Sequence, residues 1–316
     1  MKALILHGPG DLRLEDVPKP ALREEGDVLV EVEVALTDGT DAKAYARGHP
    51  VLLGPPPSPF GHEFCGIDSS TGQRVVAANS APCGACAACA RGQATLCENL
   101  RPLLNGAYAE FLLVPHRIAA VNLLRVPTGL ASEVAALVEP LACCLHGVEV
   151  AGVGTGDRVA VLGLGPIGLL LCACVADAGG QPIGVGGRSE RRALAPAFAA
   201  GLGDGRGADI VIEAAGTEAA WLEALELVRP GGTVLAFGGL PTSARVAVDA
   251  YRIHYEEVAL RGAFHHTPRH VRAALAFLAS SAYPFERLIT HQVGLGGVGQ
   301  MLSDPPRDYL KAAVVP

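Results

Sequence analysis

The sequence predicts an α/β protein of two domains, a β-rich N-terminal domain followed by a doubly wound parallel sheet. Three observations predict it. Short stretches of alternating apolar and polar residues, punctuated by Pro and Gly, fill roughly the first 125 residues. From about Ser132 onward, helical and strand patterns alternate, as they do in a doubly wound sheet. The length of 316 residues, half of them apolar, supports two cores at about 100–200 residues per domain.

In the N-terminal part, Val28–Val34, Arg74–Ala78 and Tyr108–Val114 read as half-buried strands. The proline-rich Leu52–Phe60 reads as an irregular loop leading into Gly61-His62-Glu63. Further on, Ser132–Val150 is expected to be helical with a break at Pro140, Arg158–Leu162 a strand, Pro166–Ala178 a helix, and Pro182–Val185 and Asp209–Ala214 strands. Trp221–Val228 is a helix closed by Arg229-Pro230-Gly231-Gly232, and Thr233–Phe237 is the next strand. His270–Ala279 is an amphipathic helix, with short irregular elements after it.

A net charge of −7 without a basic run argues against nucleic acid as a partner. The N-terminus reads without an export signal, so a cytoplasmic protein is expected. The uncharged run Val159–Ala176 is cut by Gly163, Gly165, Pro166 and Gly168; a buried strand, turn and helix fit it better than a membrane span. Nine cysteines in such a chain suggest metal binding or free thiols rather than disulfides.

Cys83, Cys86, Cys89 and Cys97 form a C-x2-C-x2-C-x7-C run. Four thiolates so spaced can close a tetrahedron around structural Zn2+, whereas the bacterial iron-sulfur run ends in C-x3-C-P. Gly163-Leu164-Gly165-Pro166-Ile167-Gly168 lies between a strand and an apolar helix, the setting in which GxGxxG binds a dinucleotide pyrophosphate at a helix N-terminus. At the end of the next strand, Gly187 stands where an acid would bind the ribose 2′-hydroxyl, and Arg188, Arg191 and Arg192 follow. That cluster suits a 2′-phosphate, so NADP is favoured over NAD. Gly216 joins the cofactor-binding set. Asp38, His62-Glu63 and Glu139 form a scattered acidic set, each member also explicable as a turn, loop or helix-start residue.

Together with Gly39-Thr40-Asp41, Gly72-Gln73-Arg74-Val75, Gly106-Ala107-Tyr108-Ala109-Glu110 and Glu139-Pro140-Leu141, these motifs run in order along nearly the whole chain. In them the sequence resembles the zinc-dependent medium-chain dehydrogenase/reductase family. The resemblance implies a GroES-like catalytic domain over residues 1–130, with the zinc lobe at 83–97, a Rossmann domain over 131–266, and a C-terminal segment, 267–316, returning to the catalytic domain. It implies catalytic zinc on His62, with Glu63 and Glu139 alternating as ligand or as partner of a bound water, and Thr40 starting a proton relay. Asp38 replaces the usual cysteine ligand, and Lys43 stands where a relay histidine occurs in alcohol dehydrogenases. Arg261, His265 and His266 are further candidates for contact with substrate or cofactor. The expected reaction is hydride transfer between NAD(P) and a secondary hydroxyl of a polyol, sugar or inositol-like substrate, in a homodimer or homotetramer. The competing readings are a zinc-free quinone or enone reductase and a noncatalytic NADPH-binding protein.

Overall fold

The structure, a computed structural model, describes residues 1–48, 53–101 and 103–316; Leu52, the first residue of the expected loop, lies outside them. The chain opens with the antiparallel pair β1 (Lys2–Gly8) and β2 (Asp11–Asp16), then β3 (Val28–Leu36) and α1 (Gly39–Arg47). Along β3, Val30, Val32 and Val34 are buried while Glu31 and Glu33 face outward. The alternation then gives way to full burial over Ala35, Leu36 and Thr37. Ser58 and Pro59 depart from the irregular loop that their prolines predict: they form a short strand, β4, against β1. Proline is tolerated there because β4 lies at a sheet edge.

Next come β5 (Glu63–Asp68), β6 (Arg74–Ala77), α2 (Ala87–Ala90), β7 (Phe111–Val114), α3 (His116–Asn122), β8 (Leu123–Arg125), α4 (Ser132–Ala135) and α5 (Val138–Ala151). The helical break falls at Ala136–Leu137, ahead of Pro140. Proline sits in the first turn of α5, where a missing N–H leaves no intrahelical bond unmade.

The second unit spans Cys143–His265 and Ala282–Pro284. It contains β9 (Arg158–Leu162), α6 (Pro166–Asp177), β10 (Gln181–Val185), α7 (Ser189–Leu194), β11 (Gly201–Leu202), β12 (Ala208–Glu213), α8 (Glu218–Leu227), β13 (Val228–Ala236), α9 (Ala250–His254) and β14 (Ala259–Gly262). The strands form a parallel sheet in the order β11-β10-β9-β12-β13-β14. Its order reverses between β9 and β12, where doubly wound sheets bind ligands. Residues 159–162 and 168–175 are buried, so the uncharged run is an interior strand followed by an interior helix. Arg229–Gly232 does not end a helix before the strand as expected. It lies within β13, where the register against β12 jumps from Val228 to Thr233.

The chain then adds α10 (Pro268–Ser280), β15 (Ile289–Gly294), α11 (Val298–Ser303) and β16 (Lys311–Val315). The first unit comprises Met1–Ala142, His266–Ser281 and Phe285–Pro316. Its main sheet runs β15-β16-β3-β5-β6-β8, with β7 also pairing β3. The C-terminal segment expected to be irregular therefore supplies two strands and a helix. The sequence reading divides the chain at 130/131 and 266/267. The structure carries the first unit to Ala142, because α4 packs on β3 and β5, and Tyr283 stacks on Phe198 within the second.

Candidate functional site

β3 ends at Leu36, and Asp38 starts α1. The Asp38 carboxylate accepts the Asp41 N–H at 2.7 Å, and Asp41 accepts the Asp38 N–H at 3.2 Å, a reciprocal cap that fixes both acids. The cap occupies Oδ1 of Asp38. Its Oδ2 lies 4.0 Å from Nε2 of His62, and the Thr40 side chain hydrogen-bonds Asp38. Gly61, just before His62, has φ +87°, and a Cβ there would lie 2.7 Å from the Tyr108 ring. Only glycine fits both constraints.

Asp41 Oδ1 meets Nδ1 of His62 at 3.2 Å, and its Oδ2 accepts the Tyr108 hydroxyl. With Nδ1 held by Asp41, Nε2 faces Asp38 and is the nitrogen left to bind a cation once it gives up its proton. Glu63 begins β5, and Glu139 lies in the first turn of α5. Donor atoms of His62, Glu63 and Glu139 lie within 4.8 Å of one another, as do those of Asp38, Asp41 and His62. Oxygen donors with one imidazole suit zinc or another divalent cation.

Burial disfavours charge on these acids. It pushes Glu63 up to about 8, against the pull of the Lys311 ammonium, and it raises Glu139. Burial also acts to raise Asp38, but the charges of His62 and Lys311 leave it below the ordinary carboxylate range. On His62 the carboxylates of Asp41 and Asp38 outweigh burial and hold a proton well above the usual imidazole range.

The four-cysteine lobe lies apart from this cluster in sequence and around α2. Sγ atoms of Cys83, Cys86, Cys89 and Cys97 lie within 4.8 Å of one another, and Cys86 and Cys97 are 3.9 Å apart. Zn–S bonds of 2.3 Å set tetrahedral sulfurs about 3.8 Å apart, so the lobe fits zinc. The Asn99 amide and nearby backbone N–H groups lower Cys83 to about 6, favouring its thiolate.

In the second unit, Gly163 has φ +104°, and a Cβ on Gly168 would lie 1.8 Å from the Gly163 carbonyl. Gly165 caps α6 with Pro166 at its first position and Ile167 next. A Cβ on Gly165 would meet only Arg191 Nη1, at 3.9 Å, which leaves the space a pyrophosphate needs over the helix N-terminus. Arg191 is half-buried, whereas Gly187, Arg188 and Arg192 are exposed. Gly216 sits just past β12, its N–H donating to Glu213 at 2.6 Å.

Lys43 lies on α1 three residues beyond Thr40. The Arg261 guanidinium is engaged by the Val150 carbonyl, and the His265 carbonyl by His146. His266 is buried, 3.8 Å from Glu139. Sequence reasoning gave no role to Asp41 or Tyr108 and overlooked Lys311, whose Nζ lies 2.6 and 2.8 Å from the two Glu63 oxygens. The available signal was a lone charge inside the apolar run 310–315.

These features define a nucleotide-dependent oxidoreductase fold with a metal-competent acidic cluster. The model of the alcohol dehydrogenase GroES-like domain matches residues 24–128, and that of the zinc-binding dehydrogenase matches 197–280. D-xylulose reductase A of Aspergillus oryzae is 30% identical over 91% of this chain and 88% of its own. D-altritol 5-dehydrogenase of Agrobacterium fabrum is 31% identical over 78% and 80%. A zinc-binding dehydrogenase of Sinorhizobium meliloti 1021, solved bound to NADP, superposes with a TM-score of 0.89 at 31% identity, covering 100% of this chain and 99% of that one. The chain belongs to the zinc-dependent medium-chain dehydrogenase family and is an NAD(P)-dependent enzyme of the alcohol dehydrogenase class.

Proposed function

We propose that the enzyme reversibly oxidises a secondary hydroxyl of a polyol or sugar to a ketone, with NADP preferred over NAD. In this reading Asp38, His62 and a further glutamate hold a catalytic zinc, and the four cysteines hold a structural one. The observation that carries it is His62 with Asp38 Oδ2 at 4.0 Å from Nε2, Asp41 Oδ1 at 3.2 Å from Nδ1, and donor atoms of the buried Glu63 and Glu139 within 4.8 Å of its own. The names of the relatives, a D-xylulose reductase and a D-altritol dehydrogenase, support the substrate class.

A zinc held by Asp38, His62 and a further glutamate would supply Lewis-acid polarisation of a substrate hydroxyl, and a dinucleotide held at Gly163–Gly168 would supply the hydride acceptor. The chain supplies the rest. Oxidation of the hydroxyl would release one proton and one hydride, the hydride to the cofactor; the Thr40 hydroxyl, beside Asp38, would relay the proton by accepting it as it gives up its own, and Lys43, one helical turn further along the same face, would receive it as the neutral amine and pass it to solvent. Arg188, Arg191 and Arg192 would hold the 2′-phosphate of NADP, and Gly163, Gly165, Gly168, Gly187 and Gly216 would let backbone approach the cofactor.

The test is a panel of polyols, sugars and simple alcohols, with NADP and NAD in parallel, followed by cofactor reduction at 340 nm. Turnover of a polyol or sugar above simple alcohols, faster with NADP, is expected. Reduction of quinones or enones with no alcohol oxidation contradicts the proposal.

A further inference from the structure

Glu213 is the last residue of β12 and is fully buried, at the point where the sheet order reverses. Its Oε1 accepts two consecutive backbone N–H groups, Ala215 at 2.7 Å and Gly216 at 2.6 Å. Its own carbonyl accepts Phe237 N–H at 3.1 Å and Gly238 N–H at 2.9 Å. One residue thus ties down both the turn after β12 and the turn after β13. The two turns are in close contact: a Cβ on Gly238 would lie 2.4 Å from Gly216 N and 2.7 Å from Glu213 Oε2. The first of them also backs the glycine loop after β9. A Cβ on Gly163 would lie 3.0 Å from Ala215 N, and Ala214 N–H donates to the Leu162 carbonyl at 2.9 Å.

We infer that Glu213 is a positioning residue for the dinucleotide: its side chain holds the 214–217 turn in the shape that seats the nicotinamide half. Successive N–H groups converging on one acceptor make an anion-binding nest, and here the chain fills the nest with its own side chain. The phosphates are thereby left to the N-terminus of α6. In a doubly wound sheet the adenosine ribose is read at the end of the second strand, here β10, and the pyrophosphate at the helix after the first. β10 lies on one side of β9 and β12 on the other. The remaining half of the cofactor would therefore extend over the ends of β12 and β13, onto the two turns that Glu213 ties. This assignment rests on the NAD(P) dependence of the enzyme and needs neither the metal centre nor the polyol.

The experiment compares two probes on the full chain, NADPH and its adenosine half, 2′,5′-ADP, by calorimetric titration, with circular dichroism and Tm to establish folding. Glu213→Gln keeps an oxygen at the same reach and is expected to bind NADPH within about threefold of wild type. Glu213→Asp keeps the carboxylate but draws it back by one methylene, out of reach of the two N–H groups. It is expected to raise the Kd for NADPH about tenfold or more. Glu213→Ala also lacks the acceptor and gives the same reading should Glu213→Asp fail to fold. All three should bind 2′,5′-ADP as wild type does, because that half does not reach the turn.

The reverse order, with Glu213→Gln weakened and Glu213→Asp intact, would show that charge rather than position matters and overturns the inference. Equal losses for both probes, or a fall in Tm with NADPH affinity unchanged, would make Glu213 a merely structural residue and overturn it too. A wild-type protein that binds NADH in preference to NADPH overturns only the proposed NADP preference; the same variants then test Glu213 with NADH and 5′-AMP, against the same expectations.

Discussion

Asp41 Oδ1 stands 3.2 Å from Nδ1 of His62, while the other Asp41 oxygen accepts the hydroxyl of the fully buried Tyr108. One carboxylate thus orients an imidazole and is itself held from behind. Replacing it by Asn keeps the shape but removes the anionic acceptor. Asp41→Asn is expected to lower metal affinity and turnover about 10–100-fold while leaving NADPH binding within twofold, measured by metal titration and fluorescence binding. Unchanged metal affinity would show that His62 needs no such partner.

Among the basic residues after β10, the half-buried Arg191 lies against the pyrophosphate loop. Arg191→Ala is expected to raise the Kd for NADPH about tenfold or more and to change that for NADH much less, because a charge-assisted contact to a phosphate is lost in only one of the two. Arg192→Ala should have the smaller effect. Equal losses for both cofactors would mean that Arg191 serves the pyrophosphate alone.

The cysteine lobe is expected to act as a staple. Cys97→Ser, which removes its buried member, should release the structural zinc and lower Tm, with protease cleavage appearing between Pro82 and Leu100. An unchanged Tm and cleavage pattern would deny zinc that role.

Asp27 ties the start of β3 to the start of α3: its side chain accepts from His116 N–H at 2.7 Å and from Arg23 N–H at 3.0 Å. Burial acts to raise its carboxyl, but these N–H groups and that of Glu24 outweigh it and hold it below the ordinary range. A carboxyl depressed on folding adds stability above its unfolded pKa of about 3.9, and that stability is lost as pH falls through the lower folded value. Asp27→Asn is expected to cost about 1–3 kcal/mol in urea unfolding at pH 7, with the gap to wild type closing in acid. A gap that stays constant with pH would contradict the account.

What the sequence made legible was local. Gly163 to Gly168 declare their turn because steric need for glycine is written within six residues, and the four cysteines declare their lobe within fifteen. Asp38 was visible as a candidate but not its cap with Asp41, which depends on side-chain direction. Lys311 was invisible because its partner Glu63 is 248 residues away and they meet only after β16 pairs with β3. The strand at Ser58–Pro59 was hidden for the same reason: its partner is β1, and prolines conceal a pairing that only an edge can accept.

Metal content and polyol oxidation, measured side by side on wild type and His62→Ala, bear most directly on the site. The variant is expected to carry one ion fewer per chain and to lose turnover while still binding NADPH. A variant with wild-type metal content and undiminished oxidation of the same polyol would contradict the assignment of His62 to a catalytic cation.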